Sequence, residues 1–94
     1  MTNDSFESIY SSSQEECPSL KVIPSRKRRR LSRFVYDRTI YYANKGFTED
    51  QILHLVKEEA EKEYGYVILL AIIAAVVQFL VLKILRWLWP DKAM

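Results

Sequence analysis

A long apolar stretch without a charge lies within the last third of the chain. The longest stretch, 66–82, reads YVILLAIIAAVVQFLVL, where Gln78 and the first tyrosine are the polar residues. At 1.5 Å per residue, a helix of this length spans about 26 Å, close to the thickness of a bilayer's hydrocarbon core. A second, shorter apolar stretch follows, and Pro90 is expected to end the helix. The pattern predicts a single transmembrane helix over 66–89.

Aromatic and basic side chains lie at both ends of this helix. Aromatic rings favour the level of the lipid headgroups, and lysine and arginine side chains extend to the same level. This distribution is typical of a segment that crosses a membrane once. The sequence therefore predicts a set of membrane-interface residues, which are Tyr64, Tyr66, Lys83, Arg86, Trp87 and Trp89.

One side of the predicted transmembrane helix carries small and polar residues. Ala71 and Ala75 are four positions apart, a spacing that lets a second helix approach closely. Gln78 on the same side can donate a hydrogen bond across such a contact. Together with Ala74, these residues form a predicted helix-packing face, which would suit either a second copy of the chain or a different protein. Alanine is also common in membrane helices without a partner.

Two amphipathic patterns precede the apolar stretch. The first predicts a helix that ends near Gly46, because glycine readily adopts the left-handed conformation found after helix C-termini. Thr48 and Gln51 then have the spacing of a capping box, which predicts the start of a second helix. No proline separates the second helix from the apolar stretch, so we expect one long helix from about Glu49 to Leu88.

The N-terminal segment is rich in serine and acid and contains two prolines. Its few apolar residues bury too little surface to offset the entropy of ordering, so we expect an extended tail without stable structure. The predicted fold is all-α, with a helical hairpin whose second helix runs on as a single C-terminal transmembrane helix. The extended tail is predicted over 1–25, and the basic arm with the first helix over 26–47. The juxtamembrane helix is predicted over 48–65, the transmembrane helix over 66–89 and a short C-terminal tail over 90–94.

Charge is strongly segregated along the chain, although the net charge is only +2. Residues 1–20 carry four acids and no base, whereas residues 21–38 carry eight bases and one acid. Such a dense cluster repels itself without a counter-surface. It suits the phosphates of a nucleic acid, the headgroups of anionic lipids or an acidic protein face, and it would also pair with the chain's own acids. The predicted partner-binding bases are Arg26, Lys27, Arg28, Arg29, Arg30 and Arg33.

The composition offers little for catalysis. The chain has one histidine, one cysteine and two glycines, and no motif pairs carboxylates, cradles a phosphate with glycines or clusters metal ligands. We therefore predict no enzyme activity, no cofactor and no metal site. Translocating the basic cluster without a signal peptide is unfavourable, so we expect the N-terminus on the cytoplasmic side of the membrane.

These patterns favour a non-enzymatic structural tether between a lipid bilayer and a larger protein assembly. Two settings fit: a virion whose internal membrane must be joined to its capsid, and a large membrane complex with accessory subunits. The alternative is a membrane-anchored protein that binds a polyanion, either nucleic acid or anionic lipid, through its basic arm. Affinity that falls steeply with salt is the property that separates the second class from the first. A membrane-permeabilising protein is a third class, which the large cytoplasmic portion fits poorly.

Overall fold

The computed structural model describes residues 2–89, with side chains from residue 5 onward. This part of the chain forms the helices α1 (Thr2–Glu16), α2 (Pro18–Val22), α3 (Ser25–Asn44), α4 (Glu49–Tyr64) and α5 (Leu70–Leu88), without a strand. The all-α fold class is therefore confirmed. The folded chain measures 35 × 24 × 23 Å, and α3, α4 and α5 pack against one another. The predicted helix end at Pro90 and the tail 90–94 lie outside the described residues.

The turn between α3 and α4 has the local chemistry that the sequence predicts. Gly46 adopts a φ of +90°, a left-handed conformation that favours glycine. The Gln51 N–H donates to Thr48 Oγ1 at 3.2 Å, and the Thr48 N–H donates to Gln51 Oε1 at 3.0 Å. These two reciprocal bonds confirm the capping box. Glu49 and Asp50 follow in the first turn of α4, where negative charge stabilises the helix N-terminus.

Thr48→Ala should lower the free energy of unfolding by about 1 kcal/mol, because the Gln51 N–H loses its side-chain acceptor. Urea unfolding followed by circular dichroism at 222 nm measures the change. Thr48→Ser keeps the hydroxyl and is the matched control, which should stay close to the original stability. Equal losses in the two variants would show that the hydroxyl does not act as the cap.

Helices α4 and α5 are separate, so the prediction of one continuous helix from Glu49 to Leu88 is wrong. The backbone turns over 65–69, and α5 folds back against α3 and α4. Gly65 itself has right-handed helical angles, with φ −64° and ψ −20°, so its conformational freedom does not cause the break. The physical reason is burial, because folding back removes one apolar side of α5 from water. That side consists of Ile73, Val76, Val77, Leu80, Val81, Ile84 and Leu85.

The N-terminal segment is helical and packed, which corrects the prediction of an extended tail. Its buried apolar side chains are Phe6, Ile9, Tyr10, Cys17, Leu20 and Ile23. The Phe6 ring stacks on Tyr10 with 5.6 Å between ring centroids and meets Tyr36 of α3 edge-on at 5.4 Å. The apolar residues of α1 are few, but their helical spacing gathers them on one face that packs against α3 and α5. This burial offsets the ordering entropy that an isolated tail could not offset.

Among the described residues, one helix is long and apolar enough to cross a membrane. This helix is α5, with 19 residues and a mean hydropathy of 2.0. About 39% of its most apolar window is buried inside the bundle, on the side that faces the other helices. The opposite side is uncovered. By length and composition, α5 therefore supports the prediction of a single-pass membrane protein.

Candidate functional site

A groove lined by arginines runs between α1 and the N-terminal half of α3. It has a volume of about 700 Å³ and is lined by Tyr10, Gln14, Ser25, Arg26, Arg29, Arg30 and Arg33. The four arginines are spaced i, i+3, i+4 and i+7, which places them on one face of α3. Tyr10 and Gln14 belong to α1, which forms the opposite wall. We call this feature the arginine groove.

The chain's own acids neutralise two of the four arginines. Glu7 of α1 forms an ion pair with Arg29, and the hydrogen bond from Arg29 holds the pKa of the Glu7 carboxyl below its usual value. The same bond raises the pKa of Arg29. Arg33 pairs with Asp37, one turn further along α3, with 3.4 Å between Nε and Oδ1. Both pairs are exposed to solvent, so their contribution to stability is small.

Aromatic rings of α1 hold the same two arginines in place. The Arg33 guanidinium carbon lies 4.9 Å from the centroid of the Phe6 ring, and that of Arg29 lies 5.3 Å from it. Arg29 also lies 5.5 Å from the Tyr10 ring centroid. A guanidinium over an aromatic face is attracted by the negative potential of the ring. These contacts fix two guanidinium groups in the wall of the arginine groove.

Three other bases of the cluster have no counter-charge within the described part of the chain. Arg26, Lys27 and Arg30 are exposed, and none takes part in an ion pair or hydrogen bond there. They lie in the first turns of α3, whose first turn contains no acid. Positive charge is unfavourable at this end of a helix, because the helix dipole is also positive there. The site therefore carries an excess of positive charge that solvent ions or a ligand must balance.

Arg28, the sixth predicted partner-binding base, has a structural position instead. Its Nε and Nη2 donate to the carbonyl oxygen of Ile23 at 3.1 and 3.0 Å. Its Nη1 donates to Gln14 Oε1 at 2.6 Å. These bonds join the α2–α3 connection to α1, and Arg28 does not line the arginine groove. The prediction for this base concerned an external partner, whereas the contacts observed for its guanidinium are internal.

An exposed apolar segment lies close to the same end of α3. Tyr64, the last residue of α4, meets Phe34 of α3 edge-on with 5.9 Å between ring centroids. Burial raises the pKa of Tyr64 and the charge of Glu63 adds to this effect, whereas the nearby positive charge of Arg30 opposes it. Tyr64 is therefore within the electrostatic reach of the arginine groove. The large apolar residues that follow are mostly in solvent, and we call them the apolar loop: Tyr66, Val67, Leu69 and Leu70.

The remaining predicted interface residues lie at the other end of α5. Lys83 Nζ forms an ion pair with Glu16 Oε1 of α1 at 3.0 Å. Arg86 and Trp87 are exposed, and Trp89 is half-buried. The length of α5 thus separates these residues from Tyr64 and Tyr66, as a membrane span requires.

The predicted helix-packing residues lie outside the buried side of α5. Ala71, Ala75 and Gln78 are exposed, and Ala74 is half-buried. Ala74 and Gln78 lie at the edge next to α4, where they line a groove with Asp50, Leu53, His54 and Lys57. Within the part of the chain that the structure describes, Ala71 and Ala75 are exposed to a partner or to lipid.

Comparison of the chain with protein-family models, with curated protein sequences and with solved structures gives no match. The functional inference therefore rests on the arginine groove, the apolar loop and α5. The sequence identified the bases of the groove, but not its wall of Tyr10 and Gln14, because α1 was expected to be unstructured. The apolar loop was missed because it was assigned to the interior of a long helix.

Proposed function

We propose that this protein is a non-enzymatic, single-pass membrane protein that binds an anionic partner through the arginine groove. The observation that carries the proposal is the excess charge of Arg26, Lys27 and Arg30, which have no counter-charge among the described residues. Repulsion among the bases of α3 is relieved when an anion binds between them. The length and mean hydropathy of α5 support the membrane location.

The polyanion-binding function is favoured over the structural tether by the geometry of the bases. Guanidinium groups match phosphate with two parallel N–H···O bonds, and four of them line one groove. The tether to a capsid or a membrane complex is a second proposal. The exposed small residues of α5, Ala71 and Ala75, support it, because a partner's helix could pack there. The ordered N-terminal segment does not argue for an external assembly, since α1 and α2 pack on their own chain.

We also propose that the arginine groove faces the cytoplasmic side of the membrane. The basic residues of α3 are costly to translocate, and cytoplasmic leaflets carry the anionic lipids that attract basic clusters. The apolar loop leads directly into α5, and Tyr64, just before the loop, packs on Phe34 of α3, the helix that carries the groove arginines.

Replacing the three bases without a counter-charge should abolish most of the anion binding. In Arg26→Gln/Lys27→Gln/Arg30→Gln, we expect about 100-fold weaker binding to vesicles that contain 20% anionic lipid, since each base near such a surface contributes about 1 kcal/mol. Vesicle flotation of the full-length chain at several salt concentrations measures the affinity. The matched control is Lys45→Gln/Lys57→Gln/Lys62→Gln, which removes the same charge from three exposed lysines elsewhere.

The control should lose less than about fivefold in affinity, because its lysines lie outside the basic cluster. Equal losses in the two triple variants would mean that only net charge matters and that the arginine groove has no special role. Binding that is insensitive to salt, or absent for vesicles and for a 20-nucleotide single-stranded DNA alike, would exclude the polyanion function and leave the tether.

A further inference from the structure

We propose that the arginine groove binds a phosphate monoester of a lipid headgroup, and that the apolar loop enters the same membrane beside it. This inference rests on the proposed anion-binding function and names its ligand.

The charge available in the groove comes from Arg26 and Arg30, because Glu7 and Asp37 pair with the other two arginines. Two adjacent guanidiniums fit a compact, highly charged group. A phosphate monoester carries a charge of about −1.5 to −2 near neutral pH, more than each phosphate diester of a nucleic acid. The four arginines lie on one helix face, and neighbours three or four residues apart are about 5–6 Å apart at their Cβ atoms. Several guanidiniums can therefore reach one phosphate. A nucleic acid spreads its charge along its length and would suit a longer basic track.

The groove combines fixed and free guanidinium groups. Arg29 and Arg33 are held by the Phe6 ring at 5.3 and 4.9 Å from its centroid. Holding these groups in place lowers the entropy lost on binding. Arg26 and Arg30 have no ion pair or hydrogen bond with the residues that the structure describes, and they can close onto the ligand. Gln14 accepts the hydrogen bond of Arg28 with its Oε1, so its amide N–H groups remain as donors on the opposite wall.

The apolar loop indicates that the phosphate belongs to a lipid. Tyr66 is 86% exposed and Leu69 is 71% exposed, although the tyrosine ring and the leucine side chain are both large and mainly hydrophobic. They follow Tyr64, which packs on Phe34 of α3 and lies within the field of Arg30. A soluble phosphate needs no apolar surface beside its site, whereas a membrane accepts apolar side chains below its headgroups. The loop also leads into α5, the helix with the length and hydropathy of a membrane span.

The test compares two anionic lipids at equal surface charge. Flotation of the full-length chain uses phosphatidylcholine vesicles with either phosphatidic acid, a phosphate monoester, or phosphatidylserine, a diester, at contents that give equal zeta potentials. We expect at least fivefold tighter binding to phosphatidic acid. Arg26→Lys/Arg30→Lys should remove this preference for phosphatidic acid, because lysine keeps the positive charge but cannot form the bidentate hydrogen bonds of a guanidinium group with phosphate. The matched control, Lys57→Arg/Lys62→Arg, should retain it.

A second comparison separates a lipid from a free phosphate. Glycerol 3-phosphate, a soluble phosphate monoester, should bind both the original chain and Tyr66→Ser/Leu69→Ser in a calorimetric titration. The same loop variant should bind phosphatidic acid vesicles at least tenfold more weakly. Full vesicle affinity in the loop variant would overturn the role of the apolar loop and assign the groove to a free phosphate monoester.

The remaining outcomes distinguish this inference from the proposed function. Equal affinity for the two lipids at equal surface charge would overturn the monoester assignment and leave general anion binding in place. Stronger competition by a 20-nucleotide single-stranded DNA than by glycerol 3-phosphate, at equal phosphate concentration, would assign the groove to nucleic acid instead. Unchanged binding of every anion in Arg26→Gln/Lys27→Gln/Arg30→Gln would overturn both proposals.

Discussion

Gln78→Arg should prevent α5 from crossing a bilayer while leaving the folded bundle intact. Gln78 lies near the middle of α5 and is exposed beside Asp50 and His54 of α4, so an arginine there stays in water in the bundle. At the centre of a membrane span, the same arginine costs about 2.5–3.5 kcal/mol on the scale of insertion experiments. We therefore expect the inserted fraction to fall sharply, with an unchanged helical circular dichroism spectrum for the purified protein.

Carbonate extraction of membranes from expressing cells measures this insertion. Ala71→Arg is the matched control, because Ala71 is also exposed but lies in the first turn of α5. Its arginine side chain can extend to the headgroups and should leave the protein in the membrane fraction. A Gln78→Arg protein that resists extraction as well as the original would show that α5 does not span the bilayer. Equal loss of both variants from the membrane fraction would show that the effect of the arginine does not depend on its depth in the bilayer.

Phe6→Ala should detach α1 from the bundle and weaken the arginine groove at the same time. The Phe6 side chain is only 2% exposed and contacts Tyr10, Tyr36 and two arginines. Truncating a buried phenylalanine to alanine typically costs about 3–5 kcal/mol, from lost burial and the cavity left behind. In a chain of this size, that is a large part of the total stability. We expect Arg29 and Arg33 to lose their fixed positions as α1 separates.

Urea unfolding measures the loss of stability, and the reactivity of Cys17 reports the detachment directly. Cys17 is the chain's sole cysteine and is only 6% exposed, so a maleimide should label it slowly in the original protein and rapidly in Phe6→Ala. Tyr41→Ala truncates an aromatic residue of α3 that is 46% exposed, and it should change stability by less than about 1 kcal/mol. Slow labelling of Cys17 in Phe6→Ala would mean that α1 stays packed without this ring.

The features predicted correctly depend on short-range chemistry. The capping box at Thr48 and the turn at Gly46 involve residues a few positions apart, so their spacing alone specifies them. Helical periodicity also accounts for the buried side of α4, where Ile52, Val56 and Ala60 are buried and Leu55 is half-buried. The break before Leu70 was harder to predict, because its one local signal is Gly65 at the C-cap of α4, and a single glycine does not by itself end a helix. It results from burial of α5 against helices distant in the sequence.

The arginine groove likewise combines a feature that is local in the sequence with contacts between distant residues. Composition predicted a basic cluster on α3, but it could not predict which bases have internal partners. Glu7 pairs with Arg29 across 22 positions of the chain, and Gln14 accepts from Arg28 across 14 positions. These contacts exist only because α1 is helical and packs beside α3. Without α1 as a packed helix, the groove lacks the wall formed by Tyr10 and Gln14, and composition alone does not predict that helix.

The short connection between α4 and α5 determines how far the protein extends. Gly65 already has helical angles, and no proline occurs between it and Leu70. Continuing the helix through these few residues would join α4 and α5 into a rod of about 60 Å. The folded chain is 35 Å in its longest dimension. One connection of the backbone therefore separates a short bundle from a rod nearly twice as long, in which the cap at Thr48 and the end of α5 would lie at opposite ends.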